Sequence, residues 1–262
     1  MADITNFVSV ESDVELLRSS VKDLIQADAE LGEDLCLLRW LKACDMNPKK
    51  AERMMRASIT FRRENNFDVI SKFEFNPIFE KGIPFRLQGS ARNGVPVISI
   101  EGGKVDFRGL VDTYGKDQVH RFVMSKIFCF EQSVINWNKE NSKRNNVSGI
   151  PISRESFQGA IYLVDCKNIS LRQMTSLKSI QVSTQICKDY ISYIPVMTSR
   201  MILINCPRFG APIVSMLKAI LEGPSLSLEV YDTNVKKWTE EVHKKIHPDQ
   251  LGVAFGGTRT ED

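Results

Sequence analysis

The chain holds little of what most chemistry requires. Its three histidines, His120, His243 and His247, are scattered, and no G-x-S-x-G is present, so a serine hydrolase has nothing to be built from. His243 and His247 stand four apart, the spacing of one helix face. Lys-Lys-Ile lies between them, Pro248 follows, and the Glu and third ligand of a zinc helix are missing. They read as surface residues near a helix C-terminus, and no metal is expected. There is no P-loop and no dinucleotide fingerprint. Gly256-Gly257 does not sit between a strand and a helix, so no cofactor is expected either. No apolar run approaches membrane-spanning length. The N-terminus, MADITNFVSVESDVE, is acidic and lacks the apolar core of a signal peptide. A net charge of +3 is too small to argue for nucleic acid. The cysteines, at 36, 44, 129, 166, 187 and 206, include no C-x-x-C. They read as buried, reduced thiols of a cytoplasmic protein, not as a disulfide framework or a zinc site.

What is present is an ordinary globular composition, 42% apolar and 26% charged over 262 residues, enough for one or two domains. The most informative stretch is 200–221, RMILINCPRFGAPIVSMLKAIL. Residues 201–205 are a short apolar run with β-branched members, which predicts a buried strand ended by Pro207. Gly210 and Pro212 mark a turn and a helix start. The helix that follows has apolar residues at 213, 214, 216, 217, 220 and 221 and a single charge, Lys218. A stripe this wide must be buried or must cover something apolar.

In chain order, residues 1–10 read as a loose tail, and helices are expected over 14–26, 33–43 and, capped by Asn47 with Pro48 behind it, to about 64. This gives a helical N-terminal lobe over 1–75. Strands are expected at 85–88 and 95–100, around the Asn93-Gly94 turn signal. A helix over 116–137 follows, then a loop over 139–155, a strand at 159–164, a helix over 171–190, a strand at 227–231 and an amphipathic segment over 235–246. Alternating strands and helices predict an α/β layer structure with a mixed, mostly parallel sheet over 76–262.

One catalytic pattern needs weighing. Cys166 follows a predicted strand and Arg172 stands six residues on, the C-x5-R of a tyrosine phosphatase loop. The loop residues Lys-Asn-Ile-Ser-Leu contain no glycine, and Asp165 would raise the thiol pKa. A phosphatase is therefore the minor reading, and no catalytic residue is expected.

Six pieces in order carry a family resemblance: LRWLKACDMNPKKAERMMRASITFRR at 38–63, NGVPVIS at 93–99, IYLVDCKNIS at 161–170, YIPVMTSRMILINCP at 193–207, the helix after it, and KKIHPDQLGVAFGGT at 244–258. Together they resemble the CRAL-TRIO lipid-binding domain of phosphatidylinositol- and tocopherol-transfer proteins. The resemblance implies a sheet flooring an apolar pocket, helical walls, and a mobile gate helix after INCP. It implies a monomer that exchanges one hydrophobic lipid, phospholipid or tocopherol-like, during transient contact with a membrane. By position it implies lipid-facing residues at Ala160, Val164, Ile194, Val196 and Met201. Strand alternation adds Tyr162. Val123 and Ile127 fall near wall positions, and Ile213, Met216, Leu217 and Ile220 form the inward face of the gate. In phosphatidylinositol-transfer members an acid and a lysine hold the inositol phosphate. Here Val196 and Leu228 stand at those places, which points to a more apolar ligand or a different headgroup. In one animal branch of the family a GOLD domain follows the GGT stretch, and the sequence given ends at Asp262. The rival to lipid transfer is a protein-interaction module of the same fold.

Overall fold

The computed structural model describes residues 3–67, 69, 73–145 and 152–260. The chain begins with four helices: α1 (Asp3–Ser20), α2 (Lys22–Ala27), α3 (Asp34–Ala43) and α4 (Pro48–Glu64). Asn47 caps α4 as expected, its side chain accepting from the Lys50 amide with Pro48 behind it. The tail expected over 1–10 is instead helical from Asp3. Val10, Val14 and Leu17 bury one stripe of α1, and the helix begins about three turns before the 14–26 pattern predicted, which α1 and α2 divide between them at the buried Val21.

A short helix, α5 (Pro77–Gly82), leads into a five-stranded sheet: β1 (Arg86–Ser90), β2 (Pro96–Ile100), β3 (Ala160–Asp165), β4 (Thr198–Ile204) and β5 (Ser227–Val230). Spatial order equals chain order, with β1 antiparallel to β2 and the rest parallel. The crossovers are α6 (Phe107–Tyr114) and α7 (Lys116–Asn145), then α8 (Leu171–Met174) and α9 (Leu177–Tyr193), then α10 (Ala211–Leu221). Right-handed crossovers that always step the same way put these helices on one face of the sheet. The last helix, α11 (Val235–His243), covers the other face. There Trp238, Val242 and Ile246 pack on Val97, Ile161, Leu163 and Ile202. The mixed, mostly parallel sheet flanked by helices is thus as the alternation predicted.

Two expected boundaries fall elsewhere. The loop expected from 139 begins later, because α7 runs on to Asn145, where Lys139 ties the helix to Glu30 and Glu33 of the lobe. Residues 146–151 of that loop lie outside the described residues. The single helix expected over 171–190 is two, broken at Thr175 because Ser176 caps α9 through the Ser179 amide.

The lobe and the sheet domain share one core. Leu37, Leu38, Leu41 and Met55 of the lobe belong to the same apolar cluster as Met124 and Phe128 of α7 and Ala160 of β3. Inside it lies one buried carboxylate. Glu131 of α7 receives Arg39 Nη1 at 3.0 Å and Arg62 Nη2 at 2.7 Å, with its side chain 3% exposed. Arg62 also donates to Ser58 Oγ at 3.2 Å, and Ser58 donates to the Tyr193 carbonyl at 2.7 Å. One network therefore joins α3, α4, α7 and the end of α9. Burial would raise the Glu131 pKa, but Arg62 and Arg39 overcome it and hold the carboxyl below its usual range.

A depressed carboxylate pKa contributes stability above its unfolded value and loses it as pH falls through the folded one. Glu131→Gln should lower unfolding free energy at pH 7 by about 3–5 kcal/mol, since it leaves the buried Arg39 and the half-buried Arg62 guanidinium groups without their counter-charge. Urea titrations from pH 7 to pH 3 should show a steeper acid loss in the parent than in the variant.

Candidate functional site

The sheet's inner face carries a row of side chains that stand opposite one another across three strands. Ile98 pairs with Tyr162, and Tyr162 with Met201. These three floor a cavity of about 140 Å³. One wall is α7, where Val123, Ile127 and Phe130 recur at helical spacing. The opposite wall is α9, with Ile186, Cys187 and Tyr190. Phe85 closes one side, Met197 and Thr198 at the start of β4 another, and Leu221, the last residue of α10, caps the space.

The polar atoms in this apolar enclosure are all neutral. Burial pushes the Tyr162 hydroxyl up, aided by nearby Cys187, Tyr190 and Cys166. It pushes Tyr190 up as well, beside Thr198. The Cys187 thiol is raised to about 11. Thr198 Oγ1 is buried without a hydrogen-bond partner, although the residue is only 2% exposed. Nothing charged at neutral pH lines the space, so a charged guest would lose its hydration there without compensation, whereas an apolar one with a hydrogen-bonding group would not.

Four of the predicted residues line this cavity: Val123, Ile127, Tyr162 and Met201. The others sit nearby in different roles. Ala160 is fully buried one alternation below Tyr162, in the core shared with the lobe. Val164 is further up β3, between the α7 side and the cluster beneath α10. Ile194 and Val196 are buried in the turn before β4. Val196 has a φ of 26°, a conformation a β-branched side chain rarely takes. On α10, Leu217 packs against the main core, and Met216 Sδ lies 3.7 Å from Thr184 Oγ1 on α9. Ile213 and Ile220 are half-buried on the same helix and do not line the cavity. The α10 residue that does is Leu221, one turn beyond Leu217 on the same face. Ile186 and Tyr190 were also missed, though Val182, Ile186 and Tyr190 recur every four residues along α9 and mark its inward face.

A second, more polar cleft of about 620 Å³ opens at the carboxyl ends of β3 and β4. Asp165 Oδ1 accepts from Asn205 Nδ2 at 2.8 Å and from the Lys167 amide at 2.9 Å, while Trp238 Nε1 donates to Asn205 Oδ1 at 2.9 Å. Cys166 borders this cleft. Its neighbour Cys206, and then burial, push the Cys166 thiol up, the reverse of an activated nucleophile. The phosphatase reading therefore finds no reactive thiolate at Cys166. Leu228, where a lysine would be needed for an inositol phosphate, is buried in an apolar cluster with Cys166 and Leu203.

Comparison with known proteins agrees with this architecture. The sequence profile of the CRAL/TRIO domain matches residues 80–257, about two thirds of the chain. The protein belongs to the CRAL/TRIO domain family. Over 187 residues it is 23% identical to "Protein real-time" of Aedes aegypti, covering 71% of this chain and 27% of that one. Over 180 residues it is 25% identical to "CRAL-TRIO domain-containing protein T23G5.2" of Caenorhabditis elegans, covering 68% of this chain and 23% of that one. It thus spans about a quarter of the length of these curated relatives. The crystal structure of Sfh5 superposes with a TM-score of 0.64 at 12% identity, covering 97% of this chain and 88% of that one, and shares its fold.

The orphaned hydroxyl yields a direct test. Thr198→Val removes an unpaired buried polar atom while keeping the side chain's shape, and should stabilise the lipid-free protein by about 1 kcal/mol. A melting temperature below the parent's would show that Thr198 Oγ1 is satisfied in solution.

Proposed function

We propose that this protein binds one hydrophobic lipid in the cavity between β2–β4, α7 and α9, and carries it between membranes without catalysing a reaction. The observation that supports this best is the lining itself: apolar, free of charge, and holding an unpaired hydroxyl at Thr198. The ligand is a neutral or largely apolar lipid whose one hydrogen-bonding group meets Thr198 and the two tyrosines. Burying its chain is worth roughly 0.8 kcal/mol per CH₂. Residues 76–262 form the lipid-binding domain, and the lobe over 1–75 braces α7 from outside.

A cavity of about 140 Å³ is near the size that holds a benzene-sized guest, and pockets for larger ligands run to roughly 300–1,000 Å³. Lipid entry therefore requires α10 to move away from α9. The C-terminal end of α10 is anchored: Leu221 and Leu226 are buried, and Ser225 Oγ donates to the Lys42 carbonyl of the lobe at 2.6 Å. Its N-terminal end is loose, with Phe209 45% exposed and Ala211 and Pro212 exposed. The helix opens at that end and hinges near 222–226. Among the described residues no helix is long and apolar enough to cross a membrane. Contact with the bilayer is transient, from the cytoplasmic side, with the monomer presenting Phe209 and the α10 surface. Lysine pairs such as Lys236-Lys237 add about 1 kcal/mol per basic residue near anionic lipid. The rival, an interaction module that exchanges no lipid, draws on the small volume of the closed cavity.

Protein purified from cells should release one apolar molecule per chain on native mass spectrometry. Val123→Trp, which fills the space between α7 and Tyr162, should cut uptake of lipid from liposomes at least tenfold and leave the melting temperature within a few degrees of the parent. Unchanged uptake, or a parent that never takes up lipid, favours the interaction module. Met216→Asp should impair lipid retention far more than it lowers the lipid-free melting temperature, because an opening helix can release the carboxylate to water. A collapse of that melting temperature would make α10 a fixed core helix.

A further inference from the structure

Cys166 and Cys206 leave the sheet side by side. Asp165 pairs with Ile204, the Cys166 amide donates to the Ile204 carbonyl at 2.9 Å, and the Cys206 amide donates to the Tyr231 carbonyl at 3.0 Å. On β3 the even-numbered residues face the cavity-side helices, so Cys166 continues the line of Tyr162 and Val164. On β4 the odd-numbered residues Met201 and Leu203 do so, and strict alternation would turn Cys206 away. Asn205 breaks that alternation. Its φ of 54° is left-handed. This conformation sends the Asn205 side chain to Asp165 and Trp238 and brings Cys206 round to the side of Cys166. Both thiols then lie in one apolar cluster with Leu203, Leu228 and Val214 of α10. The register carries Cys166 opposite Asn205, one residue short of Cys206, on strands ~4.8 Å apart, and the left-handed turn at Asn205 brings the second thiol into the same cluster.

We propose that Cys166 and Cys206 are an oxidisable dithiol that closes to a disulfide and thereby pins the N-terminal end of α10. The consequence for α10 rests on the reading of that helix as a lipid gate. The two thiols are unequal. Cys166 holds Cys206 below its ordinary pKa and Cys206 pushes Cys166 up, so of the two Cys206 is the thiol that gives up its proton more readily. The cleft is lined by Cys166 and by Asn205 and Pro207, the residues on either side of Cys206, and so brings a small peroxide up to the pair. Cys206 gives up its proton and its sulfur attacks one oxygen of hydrogen peroxide; the O–O bond breaks, Cys206 becomes the sulfenic acid, and the departing hydroxide takes up that proton as water. The Cys166 sulfur then attacks Cys206, displacing the sulfenic oxygen as water as its own proton is given up. Two thiols lose two electrons and two protons, and one peroxide becomes two waters. The new bond ties β3 to the segment 206–210, which is the loose end of α10 and the end that must lift.

The reduced full-length protein would be treated with hydrogen peroxide, unfolded, and alkylated with N-ethylmaleimide. Intact mass should show two fewer adducts than the 6 cysteines of the reduced chain can take. A digest should recover one peptide joining 166 to 206, absent in Cys166→Ser and Cys206→Ser, or in the alanine variants if the serines melt early. Full alkylation, or a joined peptide between other cysteines, overturns the dithiol. On oxidation, amide hydrogen exchange across 207–221 should slow about tenfold and recover with dithiothreitol, as for a segment whose opening is covalently restrained. Unchanged exchange in protein shown to carry the disulfide overturns the pin. Neither readout uses lipid, so a failure of lipid uptake counts against the lipid reading and not against the dithiol.

Discussion

A single buried carboxylate sets the terms for the rest of the molecule. Glu131 sits on α7 one residue beyond Phe130, which lines the cavity, and it is almost wholly removed from water. An unpaired charge there would be prohibitive, so Arg39 from α3 and Arg62 from α4 must both be present. That requirement fixes how the helical lobe docks. It also fixes α7 in rotation, because the residues a turn before Glu131 then face the sheet. The packed Phe61–Tyr193 rings, with centroids 4.0 Å apart, and the Ser58–Tyr193 bond extend the same brace to the end of α9. Both cavity walls are thus positioned from outside by the lobe.

The cavity in turn depends on a contrast between two edges. On the lobe side the shared apolar core is crossed by buried ion pairs and hydrogen bonds. On the α10 side contacts are apolar and half-exposed, which is the composition expected of an element that changes position. The C-terminal end of α10 shares the braced core through Leu221, with Leu226 just beyond it, while at its N-terminal end Phe209, Ala211 and Pro212 are exposed. Burial is therefore uneven along one helix.

Strand alternation explains why the two faces of the sheet differ in chemistry. Ile161, Leu163, Ile202 and Ile204 meet α11 in a dry, fixed layer. Tyr162 and Met201, their immediate neighbours in sequence, face the cavity. Alternation is broken just past β4 at Asn205, where the Asp165–Asn205–Trp238 network locks the second layer to the strand ends. An asparagine tolerates the left-handed backbone and supplies both a donor and an acceptor.

By itself the sequence determined the element types, the layer order, the Asn47 cap, the greasy character of α10 and the family. These rest on local periodicity and on motifs that lie within a few residues of one another. Of the residues it singled out, Val123, Ile127, Tyr162 and Met201 line the cavity, because helix and strand periods report which face a residue shares. Ala160, Val164, Ile194, Val196 and the four chosen on α10 lie outside that lining, because sharing a face does not fix the depth at which a residue meets the opposite wall. Only the tertiary structure decided that Leu221 caps the cavity, that Thr198 is left without a partner, and that Arg39 and Arg62 converge on Glu131, about seventy or more residues along the chain. Those contacts join segments distant in sequence, and the periodicity within one segment does not say which other segment will pack against it.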